Sequence, residues 1–180
     1  MQPKTAKKID AVNFKLVFEC KQSLVYNFIK SRMEDKTMVK LLVGHKGSGK
    51  TKRMIDLANE SVESSKGSII FINKNSRLMY DLKYRIRVVC MEDYEHITNC
   101  DEYIGFLYGI ISSDHDIETI FIDSILKHAD FSLGDLPEFI SRLKAISKNF
   151  GMDFIVSLSA EKEEMIGVDF TGVEIINQID

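Results

Sequence analysis

From Met38 onward, apolar runs of five to seven residues alternate with longer stretches whose apolar positions recur every three or four residues. The runs Val39–Val43, Ser68–Asn73, Ile86–Met91, Glu118–Asp123 and Met152–Leu158 predict strands. Ser68–Asn73 is almost wholly apolar, as a strand covered on both faces should be. Between them, Met54, Ile55, Ala58 and Val62 line one face of a helix from Lys50 to about Ser64. Asn99 and Glu102 form an N-x-x-E capping pattern ahead of Tyr103, Ile104, Leu107, Ile110 and Ile111. Asp135–Phe150 reads as an amphipathic helix that Gly151 stops. Asn75–Tyr84 reads as a short helix and Val173–Ile176 as a last edge strand. Strands alternating with helices predict an α/β fold: three α-β-α layers around a mostly parallel sheet.

Residues 1–37 have a different pattern. Phe14, Leu16, Phe18 and Cys20 alternate as in a short strand. Leu24, Val25, Phe28, Ile29 and Met33 then fall at helical spacing behind Ser23. This segment reads as an N-terminal extension. Met38, directly before the first main strand, offers an alternative start, under which residues 1–37 are an artefact of start-codon choice.

The chemistry concentrates where Val39–Val43 meets the next helix. Gly44-His45-Lys46-Gly47-Ser48-Gly49-Lys50-Thr51 fits G-x-x-x-x-G-K-[ST] at every fixed position. The glycines let backbone N–H groups approach phosphate oxygens, and the helix N-terminus adds its dipole. Lys50 supplies a point charge for the β- and γ-phosphates, and the Thr51 hydroxyl a ligand for Mg²⁺. On these residues the chain resembles the P-loop NTPase superfamily over about residues 38–160. The resemblance makes 38–160 the nucleotide-binding domain and 161–180 a C-terminal tail carrying the edge strand. ParA-like and MinD-like proteins have a lysine directly after the first glycine; here that place holds His45.

Ile117–Asp123 reads as a buried strand ending in an acid, a Walker B pattern whose carboxylate holds Mg²⁺ through water. Ser68–Asn73 and Ile86–Met91 lie between the two motifs, and a strand inserted between them in the sheet is typical of the RecA-like branch, which the chain resembles on this count. In that branch the strand after Walker B often ends in a polar residue that senses the γ-phosphate, and Ser159 is the candidate here. The branch also implies a water-polarising glutamate, either directly after the Walker B acid or at the end of the second strand. Those places hold Ser124 and Asn73. Glu161 is a distant alternative, and Arg77 reads as a solvated helix residue. Slow or partner-dependent ATP hydrolysis, or a nucleotide switch, is therefore expected.

Two other readings stay open. A nucleoside or nucleotide kinase fits the length and, in outline, the layout of thymidine kinase. Against it stand the missing acid after Asp123, the absence of zinc-ligand cysteine spacing and the lack of an arginine-rich lid. A non-hydrolysing nucleotide-binding module is the other. The pattern also resembles small bacterial P-loop proteins often labelled twitching-motility or pilus-retraction ATPases. True pilus ATPases are similar only at the P-loop, and their second domain has no counterpart here.

Composition changes this picture little. With a net charge of -3, nothing global indicates a nucleic-acid partner. No run approaches the roughly 20 apolar residues of a membrane span. Cys20, Cys90 and Cys100 show no metal or redox spacing and read as buried thiols in a reducing, cytoplasmic setting. His96, His115 and His128 read as surface residues; His45, inside the P-loop, is placed to touch nucleotide. The expected ligands are ATP and Mg²⁺, with adenine favoured because no N/T-K-x-D guanine-reading motif occurs. A protein partner is expected, and an oligomer is compatible with the pattern.

Overall fold

In the computed structural model the described residues are 39–177. The proposed extension and alternative start lie outside them. The strands are β1 Val39–Val43, β2 Ser68–Asn73, β3 Ile86–Cys90, β4 Ile117–Ile122, β5 Asp153–Leu158 and β6 Val173–Asn177. The long helices are α1 Lys50–Ser64, α2 Cys100–Ser113 and α3 Leu136–Phe150.

The six strands form one sheet in the order β3-β2-β4-β5-β1-β6, and every neighbouring pair is parallel. The side-chain period of two sends alternate strand residues to opposite faces. Leu41, Ile70, Ile72, Ile120, Ile122, Phe154 and Val156 pack with the inner faces of α2 and α3. Leu42, Ile69, Phe71, Phe121 and Ile155 pack instead with Met54, Ala58 and Val62 of α1. Phe71 and Phe121 are register partners on β2 and β4, and their rings stack with centroids 6.0 Å apart. Both faces are thus covered, which explains why the strands read as nearly unbroken apolar runs. β6 pairs with β1 over five positions and is the expected edge strand.

The helix ends follow local rules. The Asn99 side chain accepts from Glu102 N at 3.0 Å, and the Glu102 carboxylate reaches back to Thr98 N at 2.7 Å. Gly151, with φ 72°, closes α3, and its N–H donates to Ser147 O at 2.8 Å.

One predicted element is corrected. Asn75–Tyr84 is not a helix but a single turn at Ser76–Leu78 followed by turns. Asn59 of α1 clamps this stretch, donating from Nδ2 to Asp81 O at 2.9 Å and accepting from Lys83 N at 2.8 Å. Backbone groups held by a side chain on another helix are unavailable to an i,i+4 ladder.

Candidate functional site

The carboxyl ends of β1, β4 and β5 meet at one edge of the sheet. Gly44–Gly49 leaves β1 there and turns back into α1. Gly47 and Gly49 have φ 89° and 82°, a region that strains any residue with a Cβ. These angles aim the loop around the N-terminus of α1, whose first residues are Lys50 and Thr51.

Lys50 is buried. Its ammonium donates to Gly44 O at 2.8 Å, His45 O at 2.6 Å and Ser48 Oγ at 3.4 Å, so the loop is wrapped around the charge. Burial holds its pKa below the usual lysine value; Asp123 opposes that shift and the Lys127 ammonium adds to it.

Thr51 and Asp123 are brought together across the fold. The Thr51 hydroxyl donates to Asp123 Oδ2 at 3.0 Å. Asp123 follows β4 directly, is only 2% exposed, and its N–H donates to Ile72 O of β2 at 2.9 Å. Its other oxygen, Oδ1, accepts from Ser157 Oγ at 2.6 Å. That same Ser157 oxygen accepts from Ser124 N at 2.7 Å.

Ser157 is the residue that sequence reasoning overlooked. A polar residue at an inward position of a buried strand was the available signal. Ser159, the predicted sensor, is exposed one residue past β5. The hydroxyl that reaches Asp123 from β5 is that of Ser157. Asn73 is buried at the end of β2 and spends its amide locally, donating to Asn75 O and accepting from Lys74 N, both at 2.8 Å. Arg77 is exposed within the turn that replaces the expected helix.

The strand between the P-loop strand β1 and the acid-bearing β4 is β5. It is not β2 or β3, which separate the two motifs only in sequence.

Two histidines matter in different ways. His45 is exposed, and its Nε2 lies 2.8 Å from Glu161 Oε1 in the loop after β5. His128, expected at the surface, is 1% exposed. Its Nδ1 sits 3.1 Å from the Tyr103 hydroxyl, and the rings stack at 5.9 Å. Burial, with Lys74 and Lys127 adding to it, pushes its pKa down to about 4. The apolar packing around Tyr103, Phe131 and Phe139 draws the loop that carries it inward.

Among the described residues no group of three or more His, Cys, Asp and Glu side chains could hold a metal ion. Mg²⁺ does not need one, since it keeps several waters and takes one or two protein oxygens beside phosphate oxygens. Thr51 Oγ1 as a direct oxygen, with Asp123 Oδ2 beside it to hold a metal-bound water, would fit that demand. No helix of the described residues is long and apolar enough to cross a membrane. Cys90 and Cys100 are half-buried free thiols, both pushed above the usual thiol range chiefly by burial.

The sequence matches no family model. No curated protein matches it significantly. The fold is similar to that of a KaiC-like protein from the hyperthermophilic archaeon Pyrococcus horikoshii OT3, at 17% identity and a TM-score of 0.56. That match covers 79% of this chain and 72% of the archaeal one. A looser match is PCH-2 of C. elegans, at 13% identity and a TM-score of 0.43, covering 88% of this chain and 41% of that one. The likeness to the KaiC-like protein shows the fold: an α/β, P-loop NTPase-like domain with a six-stranded parallel sheet flanked by helices. The description of the KaiC-like protein does not mention pilus retraction, so that part of the sequence resemblance gains no support.

Proposed function

We propose that this chain binds ATP together with Mg²⁺ and works as a slow or partner-activated ATPase or nucleotide switch. The single observation that carries the reading is the Thr51–Asp123 hydrogen bond at 3.0 Å, between residues 72 apart in sequence. It joins the last residue of the phosphate-binding pattern to the acid of the second motif, at the end of the strands where ligands bind in such sheets.

The roles follow from donor chemistry. The N–H groups of Gly44–Thr51 and the α1 dipole suit the phosphate chain. Lys50 holds three weak acceptors; phosphate oxygens, being charged, are stronger partners for the same ammonium. Thr51 would ligate Mg²⁺ directly and Asp123 through water, with Ser157 holding the carboxylate in place. When bound, the metal supplies charge neutralisation of the phosphate oxygens. Slow turnover is supported by Ser124 and Asn73, which stand where a RecA-like water-polarising glutamate would be.

Calorimetric titration with ATP, ADP and GTP, each with Mg²⁺, tests the reading beside Lys50→Ala. Wild type should bind the triphosphate. The variant should lose about 2–4 kcal/mol, roughly 30- to 1000-fold in affinity. Failure of the wild type to bind any of the three would overturn it. Phosphoryl transfer to an added nucleoside would replace it with the kinase reading.

A further inference from the structure

Hydrolysis needs a group that takes a proton from the attacking water, and a carboxylate is the usual one. The two expected places hold Ser124 and Asn73. A carboxylate does reach the phosphate cradle, but from a third place, the loop after β5. Glu161 Oε1 lies 2.8 Å from His45 Nε2. His45 is the second residue of the cradle, and its backbone oxygen accepts from Lys50 Nζ at 2.6 Å. One residue therefore links the Glu161 carboxylate to the ammonium that faces the β- and γ-phosphates in the proposed function.

His45 and Glu161 meet at the surface, their side chains 81% and 48% exposed, but the loops that carry them are tied together elsewhere. Gly44 N donates to Ala160 O at 3.2 Å, so the two loops are also joined through backbone. Ala160 and Met165, on either side of Glu161, are each only 3% exposed and anchor the loop to the core. Glu161 N donates to Glu164 Oε2 at 2.7 Å, and Glu164 N returns to Glu161 O at 3.1 Å. The backbone of Glu161 is thus fixed, and its carboxylate faces both the N–H of Glu164 and His45 of the cradle loop.

We propose that Glu161 is the general base for ATP hydrolysis and that His45 positions it. The inference rests on the proposed ATP binding. In the step, water oxygen bonds to the γ-phosphorus while Glu161 takes one of its protons. The bond from the γ-phosphorus to the bridging oxygen breaks, and its electron pair leaves with ADP. The products are ADP and inorganic phosphate, and Glu161 returns the proton to solvent. The Glu161 side chain is 48% exposed, so the base works in a wet site. A general base that is not sequestered from water is poorly preorganised, which agrees with slow turnover.

The test uses the full chain, with phosphate release and calorimetric Mg–ATP binding measured side by side. Glu161→Gln should lower kcat by about 100-fold or more and leave the ATP Kd within about twofold. Glu161→Asp should recover part of the rate. His45→Ala should lower kcat by a larger factor than it changes the ATP Kd, and adding it to Glu161→Gln should cost little more in kcat, since the two act as one unit. Glu161→Gln turning over at the wild-type rate would overturn the assignment. So would a wild type that binds Mg–ATP yet releases no phosphate, or a Glu161→Gln protein that loses ATP binding. Absence of ATP binding by the wild type would instead defeat the proposed function, and the base assignment with it.

Discussion

Ser157 and Asp123, 34 residues apart in sequence, are joined by a 2.6 Å hydrogen bond from the serine hydroxyl to carboxylate Oδ1, and both are buried. The same serine oxygen accepts from Ser124 N. One side chain therefore fixes both the acid and the turn that follows it. This leaves Oδ2 facing Thr51.

Ser157→Ala should show both roles. It leaves a buried carboxylate oxygen and a buried N–H short of a partner, a loss of about 1–3 kcal/mol in stability. It also frees the carboxylate to rotate, and partners of this kind typically tune metal affinity by about 10- to 100-fold. Denaturant unfolding should register the first effect. Titrating Mg²⁺ at fixed ATP should register the second, as a larger requirement for the metal. A variant as stable as the wild type, with the same metal requirement, would show that the bond does neither.

His128 gives a pH prediction. Its pKa is pushed from the ordinary 6.5 to about 4 in the folded protein. The unfolded chain then binds more protons than the folded one between those values, so stability rises with pH across that window. Acidifying from pH 6.5 to 5 should remove about 2 kcal/mol through this residue alone. Thermal melts of wild type and His128→Gln at pH 7 and pH 5 check it. The wild type should lose more melting temperature on acidification than the variant. Equal losses would mean that His128 is protonated without cost.

What was legible in the sequence was what neighbouring residues decide. β1, the start of α1, α3 and the apolar strands follow from periodicity and caps, and Gly44–Thr51 from spacing. Asp123 was legible because a strand ending in an acid is a local pattern. Ser157, the Glu161–His45 contact and the burial of His128 were not, because each depends on which loops the sheet order brings together. With β5 between β1 and β4, its residues face both motifs at once. The sequence alone does not state that order. The turn after β2 was misread for a related reason: Asn59, sixteen residues upstream of Asn75, decides it through Asp81 and Lys83.

Ser124 is the place where local geometry and chemistry meet, and it explains the missing acid. Its φ is 58°, in the left-handed region, and it is buried. A glutamate there would carry both the strain of a long side chain in that backbone region and the desolvation of a second carboxylate beside Asp123. Ser124→Glu should therefore destabilise the protein by about 1–3 kcal/mol and give no gain in phosphate release. Ser124→Gly tests the backbone half of the argument. Glycine adopts this angle freely, so the variant should keep its stability within about 1 kcal/mol although it loses two 3.4 Å contacts, the one from Lys127 Nζ and the one its hydroxyl donates to Asp123 Oδ2. Denaturation of the two variants beside the wild type separates the terms. If Ser124→Glu were both stable and faster in phosphate release, the turn would tolerate a base after all, and the absence of an acid at this position would need another cause.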